Sequence, residues 1–356
     1  MKDITTVRHQ VISAFRGLQP PSPEHLICAS DARNYASSER TRAAFAGKRW
    51  HDLSPEFLQK QSVAFCYLTP RAYRYYLPAL LLTALDRFHE GGVHSAVYSL
   101  LPSEYAIYYH GADEFFEWRL KAFTPEQIKA VAAFLGLFLY EDSPTTMTFL
   151  ASRVMRLGWD RADCPESTAF RAFDWKMRHF EWPEPADPAQ AQIAREIREA
   201  FAETPYPGDN NLSGSVQGDE PSEYALQFRG VDWRTMHPKF LAYNSASLSF
   251  LTAEGFRYFL PAYIIAELTD TGIESNADPV FHLTHGFATK RATDSTDWLA
   301  YRVERMAGFT HAERKAIIHY LTYVADYIAA EYNANSSEIT EINEAIERYW
   351  KPSLEG

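Results

Sequence analysis

The chain repeats itself once, and this duplication limits what it can fold into more than any other feature. Residues 50–85 align with residues 233–268 without a gap, and about a third of the aligned positions are identical. Further along, FTPEQIKAVAAFLGLF (123–138) aligns with FTHAERKAIIHYLTYV (309–324). A repeat of this length indicates two tandem homologous domains rather than a solenoid of short units.

The duplication divides the 356 residues into three segments. We expect a first helical repeat domain over 1–182 and a second over 223–356, related by a pseudo-two-fold. Between them, residues 183–222 are acidic and rich in Pro, Gly and Ser, which is typical of a linker. A short helix at about 189–202 interrupts this linker, and we assign it to the second repeat.

Helix start signals recur at equivalent places in the two copies. Thr124 precedes Pro125, with Gln127 three residues after the threonine, and Thr310 and Glu313 repeat this pattern. A threonine followed three residues later by Gln or Glu is the capping box of a helix N-terminus. Apolar residues then recur at helical spacing. We therefore predict an all-α fold with little or no sheet.

A proline lies inside the most apolar helical segment of each copy, at Pro78 and Pro261. Proline removes a backbone donor and clashes with the carbonyl one turn earlier. The sequence therefore predicts a kink or a helix junction at both sites. Arg74 and Arg257 lie one turn upstream, and we expect their guanidinium groups to donate hydrogen bonds to the freed carbonyls. Ligand binding by these two arginines is the alternative.

The charge distribution excludes some classes of partner. The formal net charge is −11, and the acidity is concentrated: residues 179–223 carry 10 acidic and 2 basic side chains, and residues 326–356 carry 7 and 2. A nucleic-acid-binding protein would show a basic stripe instead. No apolar run is long enough to cross a bilayer, and the N-terminus lacks the apolar core of a signal peptide. We expect a cytoplasmic protein without a nucleic-acid or membrane partner.

The most specific motif occurs in both copies. F-x-G-x-x-W at 45–50 and 228–233 is followed by L-T-x-x-x-[FY]-R-Y-[FY]-L-P-A at 68–79 and 251–262. This pattern resembles a bacterial family of unknown function, DUF 6714, present as two tandem copies. The resemblance implies a small helical domain and brings no catalytic residue with it. Members of the family look like accessory proteins found near bacterial toxin systems.

These features favour a non-catalytic protein-binding module as the function. Its specific form would be an immunity-like or antitoxin-like protein that neutralises a basic toxin. Aromatic and arginine side chains are concentrated at protein interfaces, and acidic residues attract a basic partner. We assign no catalytic residue, cofactor or metal, and the oligomeric state stays open. The candidate binding residues are Trp50, Arg74, Tyr75, Trp233, Arg257, Tyr258, Glu196, Glu199, Asp219 and Glu220.

An enzyme with a site in only one copy is the alternative. His282 and His285 form an H-x-x-H pair, a spacing that allows two ligands to share a metal on a helix. His110 and Glu114 form a second group with acid–base potential. Neither group has a counterpart in the other copy. A metal-assisted hydrolase is the reaction class that they suggest.

Overall fold

A computed structural model describes residues 3–27, 35–88, 94–101, 117–140, 144–214, 220–274, 276–287, 296–333 and 335–355. These residues form helices and connecting loops, with no β-strand among them. Two isolated antiparallel bridges join Ile27 to Leu68 and Ser213 to Leu251, at equivalent positions of the two copies. The predicted all-α fold is confirmed.

The chain forms two compact units, Met1–Trp175 and Lys176–Gly356. The α-helices that begin in the first unit are α1 (Ile4–Ala14), α2 (Tyr35–Phe45), α3 (Pro55–Lys60), α4 (Pro70–Asp86), α5 (His94–Ser99), α6 (Pro125–Leu135), α7 (Thr146–Arg156) and α8 (Pro165–Arg178). Those of the second unit are α9 (Pro188–Ala200), α10 (Glu220–Phe228), α11 (Pro238–Tyr243), α12 (Ala253–Leu268), α13 (Pro279–Thr284), α14 (Thr296–Met306), α15 (His311–Ile328), α16 (Ser337–Ala345) and α17 (Pro352–Glu355).

Shorter turns complete the two units. The 3-10 turns are Pro23–His25, Trp50–Asp52, Ser62–Tyr67, Gly136–Phe138, Trp159–Arg161, Trp233–Thr235 and Ser245–Ser249. Two π-helical turns, Ala329–Asn333 and Ile346–Trp350, follow α15 and α16 in the second unit. A π-turn inside a helical segment is often found at a functional site.

The sequence-predicted capping boxes are present. The Thr124 hydroxyl accepts a hydrogen bond from the Gln127 amide, and the Gln127 side chain accepts one from the Thr124 amide. Thr310 and Glu313 make the same reciprocal pair at the start of α15. Asp187 caps the helix that the sequence predicts at about 189–202, which begins at Pro188.

Equivalent helices pack in the same way in the two units. Helix α1 packs against α6 and α4, and α9 packs against α15 and α12. Phe15 and Phe201, at matching ends of α1 and α9, are both fully buried. This long-range packing stabilises helices whose propensity alone would leave them marginal.

Helices α4 and α12 continue through Pro78 and Pro261, so neither proline marks a helix junction, and a kink within each helix stays a prediction. Both prolines are buried. Burial of the surrounding apolar face therefore offsets the backbone hydrogen bond that each proline removes. None of the described helices is both long enough and apolar enough to span a membrane.

Candidate functional site

The second unit contains an open cavity of about 1690 Å³. Its wall is formed by the last turn of α12, the segment that follows it to Asp278, and the C-terminal half of α15. The π-turn Ala329–Asn333 and the start of α16 complete it, together with Gln190 from α9. The cavity therefore lies where a helix end, a loop and a π-turn meet within one repeat.

The cavity wall is strongly acidic. No lysine or arginine is present among the described residues that line it. The lining carboxylates are those of Glu267, Asp270, Glu274, Asp278 and Glu338. Burial raises the pKa of Glu338, and the nearby charge of Asp278 raises it further. A wall with this much negative charge has an electrostatic preference for a cation.

Glu267 is the carboxylate most perturbed by its surroundings. Its side chain is accessible to solvent within the cavity while protein surrounds it on most sides. The fully buried Tyr320 donates a hydrogen bond to its Oε2 atom. The surrounding protein raises the pKa of Glu267 to about 7, Asp278 and Glu338 add to the rise, and the Tyr320 bond opposes it.

Tyrosines form the other part of the wall. Tyr323, Tyr327 and Tyr332 lie on α15 and the following π-turn. The ring of Tyr327 lies 6.2 Å, between centroids, from those of Tyr323 and Tyr332. Tyr327 is 46% exposed and Tyr332 is 77% exposed. Such rings offer apolar area, a hydroxyl group and a π face that attracts cations.

Two lining hydroxyls, those of Thr269 and Thr271, lack a hydrogen-bond partner among the described residues. Thr269 is only 4% exposed, and its Oγ1 atom has no hydrogen-bond partner among the described residues. A buried hydroxyl without a partner is unfavourable. Thr269 lines the cavity, and because its Oγ1 atom is shielded from solvent, the side chain would have to rotate for this hydroxyl to reach a ligand.

The two repeats differ at residues that form this wall. In the alignment of the copies, Ala84 stands at the position of Glu267, and Phe134 at that of Tyr320. Helix α6 ends at Leu135, whereas α15 continues to Ile328 and carries the tyrosines of the wall. At these positions the first copy has no Glu–Tyr pair, and its helix α6 is shorter than α15.

The repeated arginines differ in their surroundings. Arg257 donates from Nε to the Glu313 Oε2 atom at 2.9 Å and from Nη2 to Oε1 at 3.0 Å. The predicted bond from Arg257 to a backbone carbonyl is therefore wrong. The guanidinium instead binds a buried carboxylate, which carries the opposite charge and forms stronger hydrogen bonds. In the first copy Gln127 occupies this place, and Arg74 has no hydrogen bond or ion pair with a described residue.

A family model matches the chain over two segments, 5–159 and 189–354, and its description is "Family of unknown function (DUF6714)". The chain belongs to this family. The two segments agree with the duplication, since each holds one copy of the repeated motif. No curated protein and no solved structure matches the chain.

The repeated aromatic residues of the DUF6714 motif lie in the cores. The four predicted binding aromatics are each 5% exposed or less. They therefore stabilise the two copies and present no surface to a partner. These residues are Trp50, Tyr75, Trp233 and Tyr258.

The predicted acidic binding residues are not brought together at one place. Glu196 accepts a hydrogen bond from Gln192 and pairs with Nδ1 of His319 at 2.6 Å, so its charge is partly engaged. Glu199 and Glu220 are exposed on α9 and α10. Asp219 lies outside the described residues.

The alternative enzymatic groups gain no support. His282 is 7% exposed, and burial lowers its pKa to about 4, with a further contribution from Arg302 and Arg305. It is therefore neutral near pH 7. His285 instead stacks on Phe281. No group of three or more His, Cys, Asp or Glu side chains within the described part of the chain is arranged to hold a metal ion.

The second group, His110 and Glu114, lies outside the described residues. The acidic cavity was missed by the sequence analysis altogether. A signal for it was present in the alignment, where Glu267 and Tyr320 replace apolar residues that are core-forming in the first copy. Positions at which one copy of a duplication changes from apolar to polar mark where that copy departs from a purely structural role.

Proposed function

We propose that the chain is a non-catalytic module that binds a basic protein, with the cavity of the second repeat as its docking site. The observation that carries this proposal is the wall itself, which has five carboxylates and no lysine or arginine among its described residues. A wall of one charge attracts a partner of the opposite charge and raises the rate of encounter.

The size and shape of the cavity favour a protein segment over a small molecule. Small-molecule pockets usually enclose about 300–1,000 Å³, whereas this cavity is open and measures about 1690 Å³. Tyr327 and Tyr332 are exposed on its wall. Tyrosine is among the residues that contribute most to binding at protein interfaces.

Neutralisation of a basic toxin in a bacterial cytoplasm is the specific form that we propose. A toxin that attacks nucleic acid needs a basic surface for its target. An acidic cavity with tyrosine anchors would cover such a surface. The acidic residues of 179–223 and 326–356 would then add to the attraction at long range and speed association.

The test is calorimetric titration of the full chain with a lysine–glycine repeat peptide and with a glutamate–glycine peptide, at low and high salt. We expect the basic peptide to bind and the acidic peptide not to bind. The affinity for the basic peptide should fall as salt rises, because exposed charges are screened. Binding should weaken in the variant Asp270→Asn/Glu274→Gln, which removes two charges of the wall.

The matched control is Glu254→Gln/Glu304→Gln, which removes two exposed carboxylates of the same repeat that do not line the cavity. This control should bind the basic peptide as the parent chain does. Equal losses in both double variants would show that net charge alone attracts the peptide. Absence of binding by the parent chain at low salt would contradict the proposed function.

A further inference from the structure

We propose that Glu267, Thr269 and the cavity tyrosines form a subsite for a single alkylammonium group, supplied by a lysine side chain of the basic partner. The lysine source rests on the proposed function. The ammonium chemistry rests on the subsite itself.

The cavity wall has an excess of negative charge without a countercharge among its described residues. Glu267, Asp278 and Glu338 are close enough to perturb one another, and no basic side chain lines the cavity among the described residues. By contrast, the buried carboxylate of Glu313 is fully compensated by Arg257. Neighbouring carboxylates repel one another, and this repulsion is relieved either by protonation or by a nearby cation. The cavity therefore gains free energy when a cation enters.

The cavity wall suits an organic cation better than a metal ion. Within the described part of the chain, no three or more His, Cys, Asp or Glu side chains are grouped so that they could hold a metal ion. Tyr323, Tyr327 and Tyr332 instead bring three aromatic rings to the wall. Aromatic faces attract ammonium and guanidinium groups, which carry their charge next to apolar carbon.

The hydrogen-bond acceptors of the wall favour an ammonium group over a guanidinium group. A guanidinium is best recognised when both oxygens of a carboxylate accept its parallel N–H groups. In Glu267 the Oε2 atom already accepts from Tyr320, while Oε1 has no hydrogen-bond partner among the described residues. One free oxygen suits a compact ammonium, which has three donors in different directions. The Thr269 hydroxyl has no partner and is shielded from solvent, so it becomes a second acceptor at the same wall once its side chain rotates toward the ligand.

The first copy serves as an internal comparison. It folds with Ala84 and Phe134 at the positions of Glu267 and Tyr320. Both are buried apolar residues, so the fold does not need a Glu–Tyr pair there. The second copy has a hydrogen-bonded polar pair at a place where the first copy has apolar packing. A ligand-binding role accounts for this difference.

The test uses the full chain and small probes. Nα-acetyl-lysine methylamide is titrated by calorimetry and by ¹H–¹⁵N NMR at about pH 8, where Glu267 is ionised. Its Nε-acetylated form, the arginine analogue and 1,5-diaminopentane are titrated in parallel. We expect the lysine probe to bind at one site, more tightly than the arginine analogue, and the acetylated form not to bind. A lysine-containing peptide should bind more tightly than 1,5-diaminopentane.

The variants Glu267→Gln and Thr269→Val test the subsite. Each should weaken the lysine probe, at least tenfold for Glu267→Gln, while Glu254→Gln should have no effect. Thr269→Val preserves side-chain shape and keeps the test valid if Glu267→Gln unfolds the second repeat. Tighter binding of the diamine than of the lysine peptide would contradict a partner's lysine as the source.

Failure of this inference differs from failure of the proposed function. If the lysine peptide binds and loses affinity in Asp270→Asn/Glu274→Gln but not in Glu267→Gln or Thr269→Val, the subsite is wrong and the basic partner stands. If no cationic probe or peptide binds, both are wrong. An arginine analogue that binds as tightly as the lysine probe would overturn the ammonium preference.

Discussion

Arg257 and Glu313 form a bidentate ion pair in the second repeat. Arg74 and Gln127, at the equivalent positions of the first repeat, form no hydrogen bond with each other. Glu313 is 1% exposed and Arg257 is 21% exposed. Glu313 also accepts hydrogen bonds from Thr204 and from the Thr310 amide. One buried carboxylate therefore links α12, the start of α15 and the segment that follows α9. In the first copy, Gln127 retains the cap and donates instead to the Ala14 carbonyl.

This difference predicts unequal effects of two matched substitutions. Arg257→Met leaves Glu313 buried without its countercharge, which we expect to cost about 3–5 kcal/mol of the free energy of unfolding. Arg74→Met removes no hydrogen bond or ion pair with a described residue and should change it by less than about 1 kcal/mol. Urea unfolding of the two variants of the full chain measures both values. Equal destabilisation would show that the pair contributes nothing specific.

The buried His282 predicts a loss of stability in acid. Its pKa is lowered to about 4 in the folded protein from 6.5. The unfolded state therefore binds more protons between these pH values, so stability is full above about pH 6.5 and falls as the pH decreases toward 4. His282→Asn should flatten this part of the stability curve in thermal melts. The control His311→Asn changes a histidine that is exposed on the surface, and an identical flattening there would contradict the assignment.

Glu267 predicts the opposite trend over nearly the same pH range, so the two effects partly cancel in the parent chain and each is read from the difference between variant and parent. Its pKa rises to about 7 on folding from 4.5. The folded state therefore holds the proton longer, and stability decreases as the pH rises between these values. Glu267→Gln should remove this decrease, and Glu254→Gln should retain it. Melting temperatures measured across this pH range test the prediction. If Glu267→Gln leaves the curve unchanged, the pKa of Glu267 is not raised on folding and the prediction is wrong.

The start of the second unit can be tested by truncation. Residues 177–180 donate or accept backbone hydrogen bonds with Thr235 and His237, and Arg178 donates to the carbonyls of Gln227 and Arg229. A fragment of residues 176–356 should therefore be more stable than one of residues 183–356, by roughly 2–4 kcal/mol for several lost hydrogen bonds. Chemical unfolding of the two fragments compares them. Equal stability would support a domain boundary after residue 182.

Local signals in the sequence were sufficient for the helices and for the duplication. A capping box such as Thr124 with Gln127 depends on four neighbouring residues, so it can be read without knowing the fold. The pairing of Arg257 with Glu313 could not be predicted this way. Glu313 is distant in sequence, and its position in a capping box accounts for it without a partner on α12. The cavity depends on the extension of α15 beyond the point where α6 ends, together with a glutamate on α12. Such a combination becomes visible only when the helices are packed.

The location of binding is the central claim, and hydrogen–deuterium exchange of the full chain with the lysine–glycine peptide tests it most directly. The account predicts added protection in 266–278 and 320–338, which form the cavity wall. It predicts no change in the equivalent helices of the first repeat, over 79–86 and 125–135. Protection spread over both repeats, or confined to other segments, would contradict the account.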